Sequence, residues 1–150
     1  MSAYRQIIYH IIFRTKGSEK TINQTNSSEL YKYIWGIINN KKCVLFRING
    51  MDHLHILSDL HPSVALADYI REIKVSSAKW MKESGLFPHF SGWGIKYCAL
   101  TYSYNDRETI INYIKNQQEH HKIESFRDEI ERLFKEQGIE LDAKWFWVDS

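Results

Sequence analysis

Two apolar runs set back to back across one turn constrain this chain most. Cys43 to Ile48 and the stretch Gly50-Met51-Asp52-His53-Leu54-His55-Ile56-Leu57 both have strand composition, and they read as a hairpin turning through Asn49-Gly50. Side chains alternate faces along a strand, so His53 and His55 emerge on the same face about 7 Å apart. Two neutral imidazoles on one face of a rigid strand supply two ligands of a divalent metal site. A third ligand must come from elsewhere. Without one, they are two half-exposed sheet histidines.

The rest of the chain supplies the frame for that hairpin. Tyr4 to Phe13 is dense in β-branched and aromatic residues and predicts a central strand. After a polar loop over 17–28, Ser27 or Ser28 caps a helix to about Asn40 with Leu30, Ile34, Ile37 and Ile38 as its buried stripe. His61-Pro62-Ser63 opens the longest helix, on which Leu66, Ile70, Ile73 and Trp80 face the sheet, and Gly85 with Pro88 ends it. Arg71, Lys74 and Lys82 share another face of that helix, either a phosphate-tracking stripe or its wet side. Trp93 to Ser103 predicts a fourth strand. Asn105 or Asp106 then caps a helix to about Gln118, with Glu108 placed for a capping box from Asn105. A last amphipathic helix covers about Ser125 to Gln137, with Phe126, Ile130, Leu133 and Phe134 on one side. The aromatic tail Trp145-Phe146-Trp147 is expected to pack on the body or on another subunit. The order β-α-β-β-α-β followed by helices predicts an α+β, ferredoxin-like (split βαβ) antiparallel sheet within one domain over residues 1–150. One sheet face is left for a partner, for dimerisation or for the later helices.

Charge is uneven along the chain. Residues 1–82 hold 12 Lys and Arg against 6 Asp and Glu, whereas residues 83–150 hold 8 against 12. The excess of positive charge therefore travels with the histidines, which suits a polyanionic partner, though solvated lysines give the same pattern. The absence of any apolar run of 18 residues or charged leader, together with two scattered cysteines, predicts a cytoplasmic chain with buried thiols.

In the helix after the fourth strand, Tyr113 and Gln117 are four residues apart and fall on one face. Laid over the histidine strand, such a helix presents Gln117 as an oxygen ligand and Tyr113 as a hydroxyl. By spacing alone, a tyrosine beside an apolar stripe is more often an edge residue. The residues, however, resemble a known family. His53-Leu54-His55 resembles the HUH motif of single-tyrosine, single-strand DNA endonucleases. Tyr113-Ile114-Lys115-Asn116-Gln117 is similar to the tyrosine helix of the small insertion-sequence transposases in that group, which includes the repeat-associated tyrosine transposases. The likeness extends to Tyr9 through Lys16, Phe90-Ser91-Gly92-Trp93, Thr101-Tyr102-Ser103, Asn116 through His121 and Gly138-Ile139-Glu140. Two departures stand beside it. Met51 adjoins Asp52 with one residue fewer than the family pattern, and Gly17-Ser18-Glu19-Lys20 replaces a basic, proline-containing run.

The resemblance implies a metal-dependent transposase that cuts and rejoins single-stranded DNA through a 5′-phosphotyrosine. His53, His55 and Gln117 would hold Mg²⁺ or Mn²⁺, and Tyr113 would be the nucleophile. The DNA would be single-stranded with hairpin ends and the protein a homodimer. Lys115 and His120 become candidate phosphate contacts, with Arg14, Lys16, Arg71 and Lys74 as further DNA-binding candidates. The competing readings are a domesticated relative that binds or cuts chromosomal repeats and a non-catalytic ferredoxin-like nucleic-acid-binding module. A His-x-His-x-Asp metallohydrolase would need an aspartate where Leu57 stands.

Overall fold

A computed structural model describes residues 4–120, 122–140 and 142; the aromatic tail at 145–147 lies outside the described residues. Four strands, β1 (Ile8–Arg14), β2 (Leu45–Asn49), β3 (His53–Asp59) and β4 (Cys98–Thr101), form one sheet in the order β2-β3-β1-β4. All neighbouring pairs are antiparallel, as expected of the ferredoxin-like arrangement. The helices are α1 (Ser27–Asn40), α2 (Leu66–Ser84), α3 (Arg107–Lys115), α4 (Gln117–His120) and α5 (Phe126–Glu136).

Strand register divides the core into two sides. Ile12 pairs with His55 and Arg14 with His53, while Phe13 pairs with Leu54 and Ile11 with Ile56. Partners across an antiparallel pair point to the same face. Ile11, Phe13, Leu54 and Ile56 therefore meet Leu30, Ile34 and Ile38 of α1 and Tyr69, Ile70 and Ile73 of α2. The opposite face, which carries both histidines, is roofed by the later helices. Ile12, Cys98 and Leu100 pack on Ile130, Leu133 and Phe134 of α5, and Ile8 and Leu57 pack on Ile110 and Ile114 of α3. Each isoleucine buried in this way contributes about 1.5–3 kcal/mol relative to exposure.

Several expected boundaries move, each for a local reason. The fourth strand shrinks to Cys98–Thr101 because Lys74 Nζ donates to the carbonyls of Gly94, Ile95 and Lys96 at 2.9, 3.1 and 3.2 Å. The capping box from Asn105 does not form. A 3₁₀ turn over Tyr104–Asp106 intervenes, Ser103 Oγ accepts from the Asn105 amide, and α3 starts at Arg107. The helix expected to run on to Gln118 ends at Lys115, where Asn49 Nδ2 donates to the last carbonyls, Ile114 at 2.9 Å and Lys115 at 3.3 Å. The last carbonyls of a helix lack the donor that a further turn would supply. The hairpin turn thus both terminates α3 and ties it to the histidine strand.

Gly50 makes that turn possible. Its φ is +146°, and a Cβ built there would lie 1.6 Å from the His53 carbonyl oxygen. Gly50→Ala should lower stability by about 2–4 kcal/mol, read from urea unfolding midpoints. A loss below about 1 kcal/mol would show that the turn can relax.

A candidate metal and nucleophile site

The histidine face is a buried polar cluster under α3 and α5. His53 and His55 are 2% and 0% exposed, and their Nε2 atoms converge to 3.1 Å. Glu129, 1% exposed, reaches both from α5, with Oε1 3.1 Å from His55 Nε2 and 3.3 Å from His53 Nε2. Its other oxygen accepts a short hydrogen bond from the Tyr113 hydroxyl. That hydroxyl also accepts from Arg132 Nη2 at 2.9 Å. One carboxylate therefore joins the two imidazoles to the tyrosine of the same chain.

The second ring nitrogen of each histidine is also engaged. His53 Nδ1 lies 2.5 Å from Asp52 Oδ1 and donates to it, which turns Nε2 toward His55 and Glu129. His55 Nδ1 lies 2.7 Å from His10 Nε2. Phe126 covers His53 with ring centroids 4.0 Å apart. Phe126, Glu129, Ile130 and Leu133 share one face of α5, so the cluster and the apolar docking surface come from the same helix.

Titration behaviour follows from this packing. Burial, with His55 adding to it, drives His10 well below its usual value despite Glu129, so His10 is neutral. Burial also pulls His53 down, but Asp52 and Glu129 together outweigh it and the net shift is upward. Burial, reinforced by the Glu129 charge, pushes the Tyr113 phenol up against the opposing pull of Arg132 and Gln117. Tyr113 is thus a protonated donor in this arrangement.

His53, His55 and Glu129 fit a divalent ion. Their ligand atoms lie within 4.8 Å of one another, and a separation near 3 Å between imidazole nitrogens matches two metal–nitrogen bonds of about 2.1 Å. Gln117, expected to be the third ligand, is 2% exposed and lines a cavity of about 470 Å³ together with His53, Asp52 and Phe126. Its Nε2 donates to the Tyr113 carbonyl at 3.5 Å, while Oε1 has no hydrogen-bond partner among the described residues. An orphaned buried carbonyl oxygen on a residue lining the same cavity as His53 suits a further ligand position.

The sequence reading brought His53, His55, Tyr113 and Gln117 forward, and the structure gathers these residues around one end of the histidine strand. It missed Glu129 and Arg132. A glutamate falling on the apolar stripe of α5 was the signal. The basic candidates are dispersed. Arg14 donates to Ser18 Oγ at 2.9 Å, Lys16 sits in an exposed 3₁₀ turn, and Arg71 pairs with Asp68 at 2.7 Å. Lys74 holds the three carbonyls before β4, Lys115 is the exposed last residue of α3, and His120 ends α4.

Known proteins share this frame. The family model "Transposase IS200 like" matches residues 3–117. The chain is 27% identical over 120 residues to "ISDra2 transposase TnpA" of Deinococcus radiodurans, covering 75% of this chain and 84% of that protein. A solved structure from D. radiodurans R1 superposes with a TM-score of 0.60 at 27% identity, covering 78% of this chain and 95% of that one. A REP-associated tyrosine transposase bound to a REP hairpin superposes with a TM-score of 0.59 at 16% identity, covering 81% and 74%, and shares the fold. Among the described residues, no helix is long and apolar enough to cross a membrane.

Proposed function

The chain belongs to the IS200-like transposase family, and on that premise we propose that it cuts and rejoins single-stranded DNA with Tyr113 as nucleophile. One observation carries this reading. The Tyr113 hydroxyl and the Nε2 atoms of His53 and His55 are held by the two oxygens of a single buried carboxylate, that of Glu129. The nucleophile and the metal ligands therefore lie within reach of one phosphate.

In the proposed reaction the Tyr113 oxygen attacks phosphorus in line. The oxygen–phosphorus bond forms as the bond from phosphorus to the 3′-oxygen breaks. The phenol gives up its proton and the departing 3′-oxygen takes one up, leaving a 3′-hydroxyl and a 5′-phosphotyrosine. One phosphodiester replaces another, so a second 3′-hydroxyl can reverse the step and transfer the strand without ATP. His53, His55, Glu129 and Gln117 would hold a divalent ion, which when bound withdraws charge from the phosphate and orients it. Of the two ions expected, Mn²⁺ accepts imidazole more readily than Mg²⁺. Asp52 and His10 keep both ligand imidazoles in place, and Phe126 keeps water from one side of His53.

The proposed partners are single-stranded DNA bearing hairpins, supported by the hairpin bound to the structural relative, and a second copy of the chain. The direct test incubates purified protein and Mn²⁺ with a labelled hairpin-bearing strand or with the same sequence as a full duplex. The expected result is cleavage of the single strand only, abolished by EDTA. Equal cutting of the duplex, or cutting that survives EDTA, would contradict the proposal.

Glu129 and Gln117 make separable contributions. Glu129→Ala should weaken Mn²⁺ binding by about 10–100-fold, measured by titration calorimetry without DNA. Gln117→Ala should weaken it less, because Glu129 touches both imidazoles whereas the Gln117 oxygen has no hydrogen-bond partner among the described residues. The reverse order would restore Gln117 as the third ligand.

A further inference from the structure

We propose that Arg132 is the electrophilic partner of the reaction, holding the Tyr113 oxygen and, once DNA is bound, a non-bridging oxygen of the scissile phosphate. The inference rests on the reading of Tyr113 as nucleophile and adds a residue of α5 to that site.

Arg132 is aimed and held. Its Nη2 donates to the Tyr113 hydroxyl at 2.9 Å, and the guanidinium carbon lies 5.6 Å from the Tyr113 ring centroid. Nε and Nη2 form a two-pronged bond to both oxygens of Glu124, each at 2.9 Å, and Nη1 reaches Glu136 at 3.2 Å. A planar guanidinium fixed by a carboxylate fork has a defined direction, which a lysine ammonium would lack. The plain alternative is a surface ion-pair cluster along a helix. Such a cluster accounts for Glu124 and Glu136 but not for an N–H directed at a tyrosine oxygen already bonded to Glu129.

Geometry extends the contact to the substrate. A phosphorus ready for attack sits about 3–3.5 Å from the nucleophilic oxygen. Arg132 Nη2 is already 2.9 Å from that oxygen and spends its other N–H on Glu124, so a non-bridging oxygen on the phosphorus would take the Nη1 N–H that Glu136 does not use. The histidine pair stands on the far side of the Glu129 carboxylate. The phosphate would thus meet positive charge from Arg132 on one side and from the metal ligands' ion on the other. Charge that grows on the phosphoryl oxygens during attack is what a fixed guanidinium stabilises.

The test measures single-turnover formation of the covalent protein–DNA adduct by the full chain, using a saturating hairpin-bearing strand and Mn²⁺. Arg132→Ala should slow adduct formation at saturating DNA by about 10²–10³-fold, a loss larger than any accompanying weakening of DNA affinity, while circular dichroism shows that the variant is folded at the assay temperature. Arg132→Lys, which keeps the charge without the fork, should recover part of the rate. Guanidinium chloride, at concentrations that leave the fold intact, should accelerate Arg132→Ala but not Tyr113→Phe. A wild-type rate in Arg132→Ala would overturn the proposal. So would a loss that follows DNA affinity in both variants and that guanidinium does not restore. Failure of the wild-type protein to form any adduct would instead remove the nucleophile reading on which Arg132 depends.

Discussion

Tyr113→Phe should abolish covalent capture and cleavage of single-stranded DNA, a loss of about 10⁴-fold or more, while DNA binding persists. The substitution removes one oxygen, and that oxygen stands between the Glu129 carboxylate and the Arg132 guanidinium. The ring stays in place against α3's own anchors, Ile110 and Ile114, which pack on Ile8 and Leu57. Glu129 keeps both histidine contacts and Arg132 keeps Glu124 and Glu136. Two lost hydrogen bonds to charged groups cost about 3–6 kcal/mol at most, so circular dichroism and a melting curve should accompany the assay. A cleaving Tyr113→Phe protein would mean that another group attacks phosphorus.

The second large effect belongs to the histidines. His53→Ala and His55→Ala should each abolish metal-dependent cleavage and remove the stabilisation that metal gives the fold. For the wild type, Mn²⁺ at one hundred times its dissociation constant adds about 2.7 kcal/mol, a rise in melting temperature of about 5–10 °C. The variants should show no such rise. Each ring is held on several sides, His53 by Asp52, His55, Glu129 and Phe126, and His55 by His10, His53 and Glu129. Removing either also leaves a buried carboxylate with fewer partners, which destabilises in its own right. Unchanged metal-induced stabilisation in both variants would place the ion elsewhere.

The parts of this arrangement legible in the sequence are those governed by local periodicity. A period of two put His53 and His55 on one face; their burial comes from the docking of α3 and α5 over that face. The apolar stripes of α1, α2 and α5 identified the residues that now fill both cores. Tyr113 and Gln117 emerged from family resemblance rather than from spacing.

Contacts distant in sequence were not legible. Asn49 stops α3 by bonding carbonyls more than sixty residues away, so a helix pattern that continues through Gln117 in sequence is broken at Asn116 in space. Glu129 meets the imidazoles only because α5 docks on the histidine face. No local rule states which sheet face a helix will cover. The amphipathic stripe located the helix, and only the packing of Ile130, Leu133 and Phe134 on Ile12 and Leu100 aimed its glutamate. Lys74 shows the converse. A lysine on an exposed stripe suggested phosphate tracking, whereas its ammonium is anchored to three backbone carbonyls.

The most direct test of the account identifies the atom that carries the DNA. The protein would be incubated with Mn²⁺ and a hairpin-bearing single strand from its genomic flanks, then denatured, digested with nuclease and protease, and examined by mass spectrometry. The account predicts a nucleotide-bearing peptide whose modified residue is Tyr113, formed only with metal. A modification on any other residue, or hydrolysis that leaves no protein-bound nucleotide, would contradict it.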